Sequence, residues 1–206
     1  MSQEARTGSL HYFFPVVVQA TEVEHADALN ADLVATVDRV RAQVPNARPD
    51  SWSCDVYTTI SSPAAIELQA QPAFDRLKTI IAEEAFKYGR TLGLAVDRFP
   101  PRVDDFWVNV YGRGNAQEVH THGNSVFSGI YYVKAPPGCG DTLFHAPMGD
   151  AMLDPPRAEL NPFNASVARW SPRAGQMLFF RGWLKHSVQA NDIDEERITI
   201  AFNVNL

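Results

Sequence analysis

Three histidines carry the first chemical hint. His120 and His122 form an H-x-H pair. On a β-strand, residues i and i+2 project from the same face, so two imidazoles there can grip one metal ion. Imidazole suits iron, copper, zinc and nickel alike. A third ligand has to come from elsewhere, and His186, within Trp183-Leu184-Lys185-His186-Ser187-Val188, is the natural candidate. Taken alone, an H-x-H pair arises often by chance and is more often two ordinary surface or hydrogen-bonded core histidines. Arg197 strengthens the chemical reading. It follows His186 by eleven residues, and Thr199 follows it at the same strand parity. An arginine can hold a carboxylate through two parallel charge-assisted hydrogen bonds, and Thr199 can donate a third. The plainer alternative is that Arg197 pairs with Asp194, Glu195 or Glu196.

These residues need a scaffold that brings separate strands together. After Pro100-Pro101 the sequence reads as short strands near 106–111, 117–122, 127–134, 141–145, 165–170, 176–180, 186–190 and 197–203. Gly- and Pro-rich turns separate most of them, for example Pro136-Pro137-Gly138-Cys139-Gly140. Eight short strands at near-regular spacing point to a mainly β fold, a double-sheet jelly roll or barrel. The first half reads differently. Apolar residues recur at helical spacing over 24–43 (Leu29, Leu33, Val37, Val40) and over 73–92 (Phe74, Leu77, Ile81, Tyr88). These two helices would cover one outer face. A further strand is expected over His11–Ala20. The stretch Ala146–Asn164, with four prolines, is too long for a hairpin turn. It is the candidate for a substrate lid.

At these residues the sequence resembles the Fe(II)- and 2-oxoglutarate-dependent oxygenases. It is nearest to a branch of small bacterial members and more distantly similar to the prolyl hydroxylases. The resemblance covers about 106–206. The family pattern is H-x-D/E, a distal His, then an Arg about ten residues later; His120, His186 and Arg197 match it. It implies a double-stranded β-helix, cupin-like, with Fe(II) as the metal and 2-oxoglutarate as cosubstrate. It also implies roles for two tyrosines. Tyr111, before the first His, would contact 2-oxoglutarate. Tyr132, in Ile130-Tyr131-Tyr132-Val133, would bind its far carboxylate beside Arg197. Gly140-Asp141-Thr142-Leu143-Phe144 resembles the glycine-led strand that follows. Asn109 shares a strand face with Trp107 and Tyr111 and either reaches 2-oxoglutarate or substrate or packs in the core.

The departure from the pattern is His122, where the family has a carboxylate. Either His122 completes a three-His site, or His120 and His186 hold iron with water or cosubstrate. The implied reaction is hydroxylation of a C–H bond by O2, with 2-oxoglutarate converted to succinate and CO2. Val119, Phe127, Ile130 and Met177 are expected to wall the site. His145, Asn124 and Arg181 are expected in surface or loop roles, and Trp183 in packing. Two other classes stay open. A metal-binding cupin would not use 2-oxoglutarate; Gly114 stands six residues before His120, as in a cupin motif, but the expected Glu is missing. A non-catalytic sensor would bind a carboxylate through Arg197 without turnover.

Composition narrows the classes further. The chain has 206 residues and a net charge of −6, with no basic cluster, which argues against a nucleic-acid partner. Two cysteines are too few for a disulfide scaffold. No apolar run approaches a membrane span of about 18 residues, and Met1–Leu10 lacks a signal pattern. The expectation is one domain over 1–206, with 1–104 as helical cover and 105–206 as β-helix core, in the cytoplasm. The substrate, a small molecule or a protein side chain, is not legible, and neither is the oligomeric state, with a homodimer as one option.

Overall fold

The computed structural model describes residues 9–11, 13–63, 71–148 and 155–206. Its elements run β1 (Gln19–Glu22), α1 (Ala26–Gln43), β2 (Tyr57–Thr58), α2 (Pro72–Thr91), β3 (Arg102–Tyr111), β4 (Gln117–His120), β5 (Phe127–Lys134), β6 (Thr142–His145), β7 (Val167–Trp170), β8 (Gln176–Arg181), β9 (His186–Val188) and β10 (Arg197–Asn205). One sheet has the order β1-β8-β5-β10-β3-β2 and the other β4-β9-β6-β7. Every strand pairing is antiparallel. This is the mainly β, double-stranded β-helix architecture expected from the sequence.

The helices form where their apolar stripes require. Leu29, Leu33, Val37 and Val40 of α1, with Phe74, Leu77, Ile81 and Tyr88 of α2, are all buried in one core cluster. The six-stranded sheet meets them with alternate residues: Phe106, Val108 and Val110 from β3, Ile198, Ile200 and Phe202 from β10. Burial drives this packing, and two hydrogen bonds fix its register. Tyr131 Oη donates to Asn30 Oδ1 of α1 at 2.7 Å, and Tyr88 Oη of α2 donates to the Val17 carbonyl at 2.7 Å.

The strand expected over His11–Ala20 is corrected to Gln19–Glu22, paired with β8. Pro15 offers no N–H to a ladder. Phe13 and Phe14 lie exposed, Phe14 with φ of 56°, which a β-strand does not accommodate. The proposed lid, Ala146–Asn164, lies partly outside the described residues. Three expected wall residues also differ. Phe127 and Met177 face the helices rather than the histidines, and Val119 is exposed. Trp183 is about half exposed, beside Val17 and Leu92.

Candidate metal and carboxylate site

The histidines come together because β4 and β9 are neighbours, with His120 opposite His186 in the register. His122 lies just past the end of β4. Its N–H donates to the Gly182 carbonyl at 2.8 Å, which ties this turn to the one preceding β9. Only glycine fits at 182. A Cβ there would stand 2.3 Å from the Ser125 carbonyl oxygen and 2.6 Å from that of His122. The potential ligand atoms of His120, His122 and His186 all lie within 4.8 Å of one another. The ring of His120 is 4.2 Å from that of His186 and 5.1 Å from that of His122, centre to centre.

Two of the rings are oriented for ligation. His120 Nδ1 is 2.8 Å from the Glu118 carbonyl and His186 Nδ1 is 2.9 Å from the Leu184 carbonyl. A carbonyl only accepts, so each Nδ1 carries the proton and each Nε2 keeps its lone pair. Such backbone partners are what fix a ligating imidazole. The His122 ring stacks on Trp107, with centroids 5.6 Å apart. Burial holds all three imidazoles below their ordinary range, His122 down to about 4. They are neutral near pH 7, as metal ligands must be.

A cavity of about 250 Å³ opens beside the histidines. That lies near the lower end for ligand pockets, a size for a small metabolite. Its walls include Trp107, Asn109 and Tyr111 of β3 and Arg197, Thr199 and Ala201 of β10. These are the residues that alternate with the core-facing ones, so one sheet serves helices on one face and the cavity on the other. Ile130 lines the cavity, as expected.

Arg197 is fully buried at the end of this cavity. Its guanidinium donates to the Gly140 carbonyl and to Thr142 Oγ1, each at 3.0 Å. It lies over the rings of Tyr111 and Tyr132, 5.3 and 5.2 Å from their centres. Gly140 is a special position: its φ is +87°, and a Cβ would meet the Gln189 carbonyl oxygen at 2.6 Å. Among the described residues no carboxylate reaches ion-pair distance of Arg197. Its Nε has no hydrogen-bond partner among the described residues, and neither has the buried Asn109 Oδ1. A lone buried cation is costly unless something pairs with it.

The sequence-selected residues separate into two groups. His120, His122, His186, Arg197, Thr199, Tyr111 and Asn109 line one cavity. Tyr132 does not. It sits behind the guanidinium, its hydroxyl 2.8 Å from Thr142 Oγ1. Burial raises the Tyr132 hydroxyl and pushes that of Tyr111 up to about 12, so both stay protonated. Asn124 is exposed and Arg181 half-buried. His145 is outside the histidine cluster, its Nε2 2.9 Å from Ser187 Oγ. Sequence reasoning missed Thr142 and the Gly140 carbonyl as partners of Arg197, although the glycine-led strand marks both. It also missed Trp52 and Ile60 on the cavity wall, for which the sequence holds no signal.

This sheet pair with helices on one face and histidines on the other is the architecture of 2-oxoglutarate oxygenases. Residues 105–203 match the family described as "Putative 2OG-Fe(II) oxygenase". No curated protein matches the sequence significantly. Solved structures share the fold at low identity. A prolyl-4-hydroxylase from Pseudomonas putida superposes with a TM-score of 0.59 at 17% identity, over 91% of this chain and 92% of that one. The epimerase SnoN, in complex with Fe3+, alpha ketoglutarate and nogalamycin RO, gives 0.60 at 16%, over 92% and 78%. HygX from Streptomyces hygroscopicus, with nickel, 2-oxoglutarate and hygromycin B, gives 0.59 at 13%, over 92% and 83%. Residues 105–203 thus resemble this family in sequence, and the chain shares its fold with these structures.

Proposed function

We propose that the protein is an Fe(II)- and 2-oxoglutarate-dependent dioxygenase that hydroxylates a small molecule or a protein side chain. The observation that carries this reading is Arg197, a buried guanidinium without a carboxylate partner in the same cavity as three neutral, convergent imidazoles. A dicarboxylate that also binds the metal answers both features at once. Solved relatives of the fold hold a metal together with 2-oxoglutarate.

The residues present fit the group. His120, His186 and His122 offer three nitrogen donors and no charge, a set suited to a divalent transition metal. Bound iron would supply O2 activation coupled to oxidative decarboxylation of 2-oxoglutarate to succinate and CO2. The chain's own residues do the positioning. Arg197 receives the far carboxylate, with Thr199 donating beside it. Tyr111 flanks the cosubstrate. Tyr132 and Thr142 hold the guanidinium in place, and Asn109 presents its amide to the cavity. Ile130 and Trp107 exclude water from the reacting end. Replacing the family carboxylate by His122 leaves the centre one charge more positive.

The test is anaerobic loading with Fe(II) and 2-oxoglutarate followed by exposure to air. Slow succinate release is expected. Metal binding indifferent to 2-oxoglutarate would support the cupin alternative instead, and 2-oxoglutarate binding without oxygen uptake would support the sensor.

A further inference from the structure

The cavity at Arg197 continues past the histidines into a second, more open one of about 590 Å³. The two share Ile60, Trp107 and His122. Together they form a trough floored by paired residues of β3 and β10, whose register is Tyr111 with Arg197, Asn109 with Thr199, Trp107 with Ala201, and Asp105 with Asn203. Charge along this floor is polarised. One end holds the Arg197 cation. Six residues further along, about 20 Å at strand rise, stands the carboxylate of Asp105. The histidines lie over the middle, where His122 stacks on Trp107 and the small Ala201 leaves room beneath.

The two ends therefore suit different ligands. A dicarboxylate belongs at Arg197 and is repelled from the outer end, which among the described residues no lysine or arginine lines. Asp104 there is already held by Arg102 and by Asn205 Nδ2, which donates at 2.8 Å. Asp105 is held only by a neutral group in the bonds that define the floor: Asn203 Nδ2 donates to its Oδ2 at 3.0 Å. The amide of Asn203 is in turn fixed by Ser128 Oγ, which donates to Asn203 Oδ1 at 2.8 Å. The carboxylate is thus aimed without being neutralised by its holder. Independently of these acids, the trough contains a side chain that lacks a partner: Asn109, 6% exposed, whose Oδ1 is an unused acceptor. A 2-oxoglutarate dianion has no proton to give that oxygen.

We propose that the outer half of the trough is the site of the substrate to be oxidised, and that this substrate carries a cationic nitrogen, an amine or guanidine, which pairs with Asp105. Trp107 lies two residues from Asp105, about 7 Å along the strand. The cationic group and the carbon presented to the metal centre are thus several bonds apart, with an apolar stretch lying along Trp107. This assignment rests on the reading of the inner end as the 2-oxoglutarate site.

The probes are 1,5-diaminopentane and 1,5-pentanediol, the same skeleton with and without positive charge. Binding is followed anaerobically on the full chain by the 19F signal of fluorotryptophan at Trp107, with and without Fe(II) and 2-oxoglutarate. The diamine should shift that signal and bind about fivefold tighter than the diol, the range of a partly exposed ion pair. High salt should erase the preference. Asp105→Asn should erase it too, with melting temperature and 2-oxoglutarate affinity unchanged. Equal affinities, no diamine-induced shift at Trp107, or a preference that survives Asp105→Asn would each overturn the proposal. Failure of 2-oxoglutarate to bind while the diamine preference holds would instead count against the reading of the inner end alone.

Discussion

The two faces of the six-stranded sheet are built from the same strands by alternate residues, yet they do opposite work. Toward the helices, β3 and β10 present Phe106, Val108, Val110, Ile198, Ile200 and Phe202, close-packed and apolar. Toward the histidines they present Trp107, Asn109, Tyr111, Arg197, Thr199 and Ala201 around a cavity. One face is stabilised by burial. The other buries a cation and leaves two polar atoms without partners. The contrast teaches that the helical face holds the shape while the cavity face holds the cost. A single-residue slip of β10 would exchange the two and destroy both.

The largest expected separation between the faces comes from Phe202→Ala. Phe202 is fully buried among the helix-facing residues, with its ring 5.0 Å from Phe179. The substitution should cost about 3–5 kcal/mol of stability in denaturant unfolding, with 2-oxoglutarate affinity kept in the molecules that remain folded. Arg197→Met should do the reverse. It removes a buried charge at similar volume, so unfolding should show no loss or a gain of stability. Its 2-oxoglutarate affinity should fall by a factor on the order of 100, the loss of about 3 kcal/mol expected when a buried charge pair loses one partner.

Gly140→Ala probes the seam between strand geometry and chemistry. Positive φ and the approach to the Gln189 carbonyl should cost about 1–3 kcal/mol. Displacement of the carbonyl that accepts from Arg197 should weaken 2-oxoglutarate binding as well, which calorimetry would show.

The smallest effect is the pH response of the metal-free protein. Burial depresses the folded-state pKa of His122 from 6.5 to about 4, and those of His120 and His186 in the same direction. The unfolded chain takes up these protons first as pH falls. The contribution is therefore complete above about pH 6.5 and is lost as pH drops toward 4. Thermal melts of the metal-free wild type should decline over that window. The triple variant His120→Gln, His122→Gln, His186→Gln should show a flatter profile.

Much of this arrangement was legible because both periodicities are local. The stripe Leu29, Leu33, Val37, Val40 announces a helix, and the parity of Arg197 and Thr199 announces a shared face. His186 could be matched to His120 through a recurring residue order. What the sequence concealed depends on distant partners. Nothing near Phe127 or Met177 says which side of its strand meets the helices. Tyr132 is set behind Arg197 by Thr142, a partner ten residues away, and not directly in the cavity. Asp105 meets the outer cavity beside Asn203, a partner 98 residues on that no local pattern announces. The opening strand failed because an apolar run says nothing about whether a neighbouring edge will accept it.

The central claim is that Arg197 and the three histidines serve one ligand and one metal jointly. Calorimetric titration of 2-oxoglutarate under anaerobic conditions, with and without saturating Fe(II), tests it most directly. Linkage requires that each tighten the other by the same factor. The account predicts a marked rise in 2-oxoglutarate affinity when Fe(II) is present, reciprocated in Fe(II) affinity. Equal affinity for 2-oxoglutarate with and without Fe(II) would contradict it.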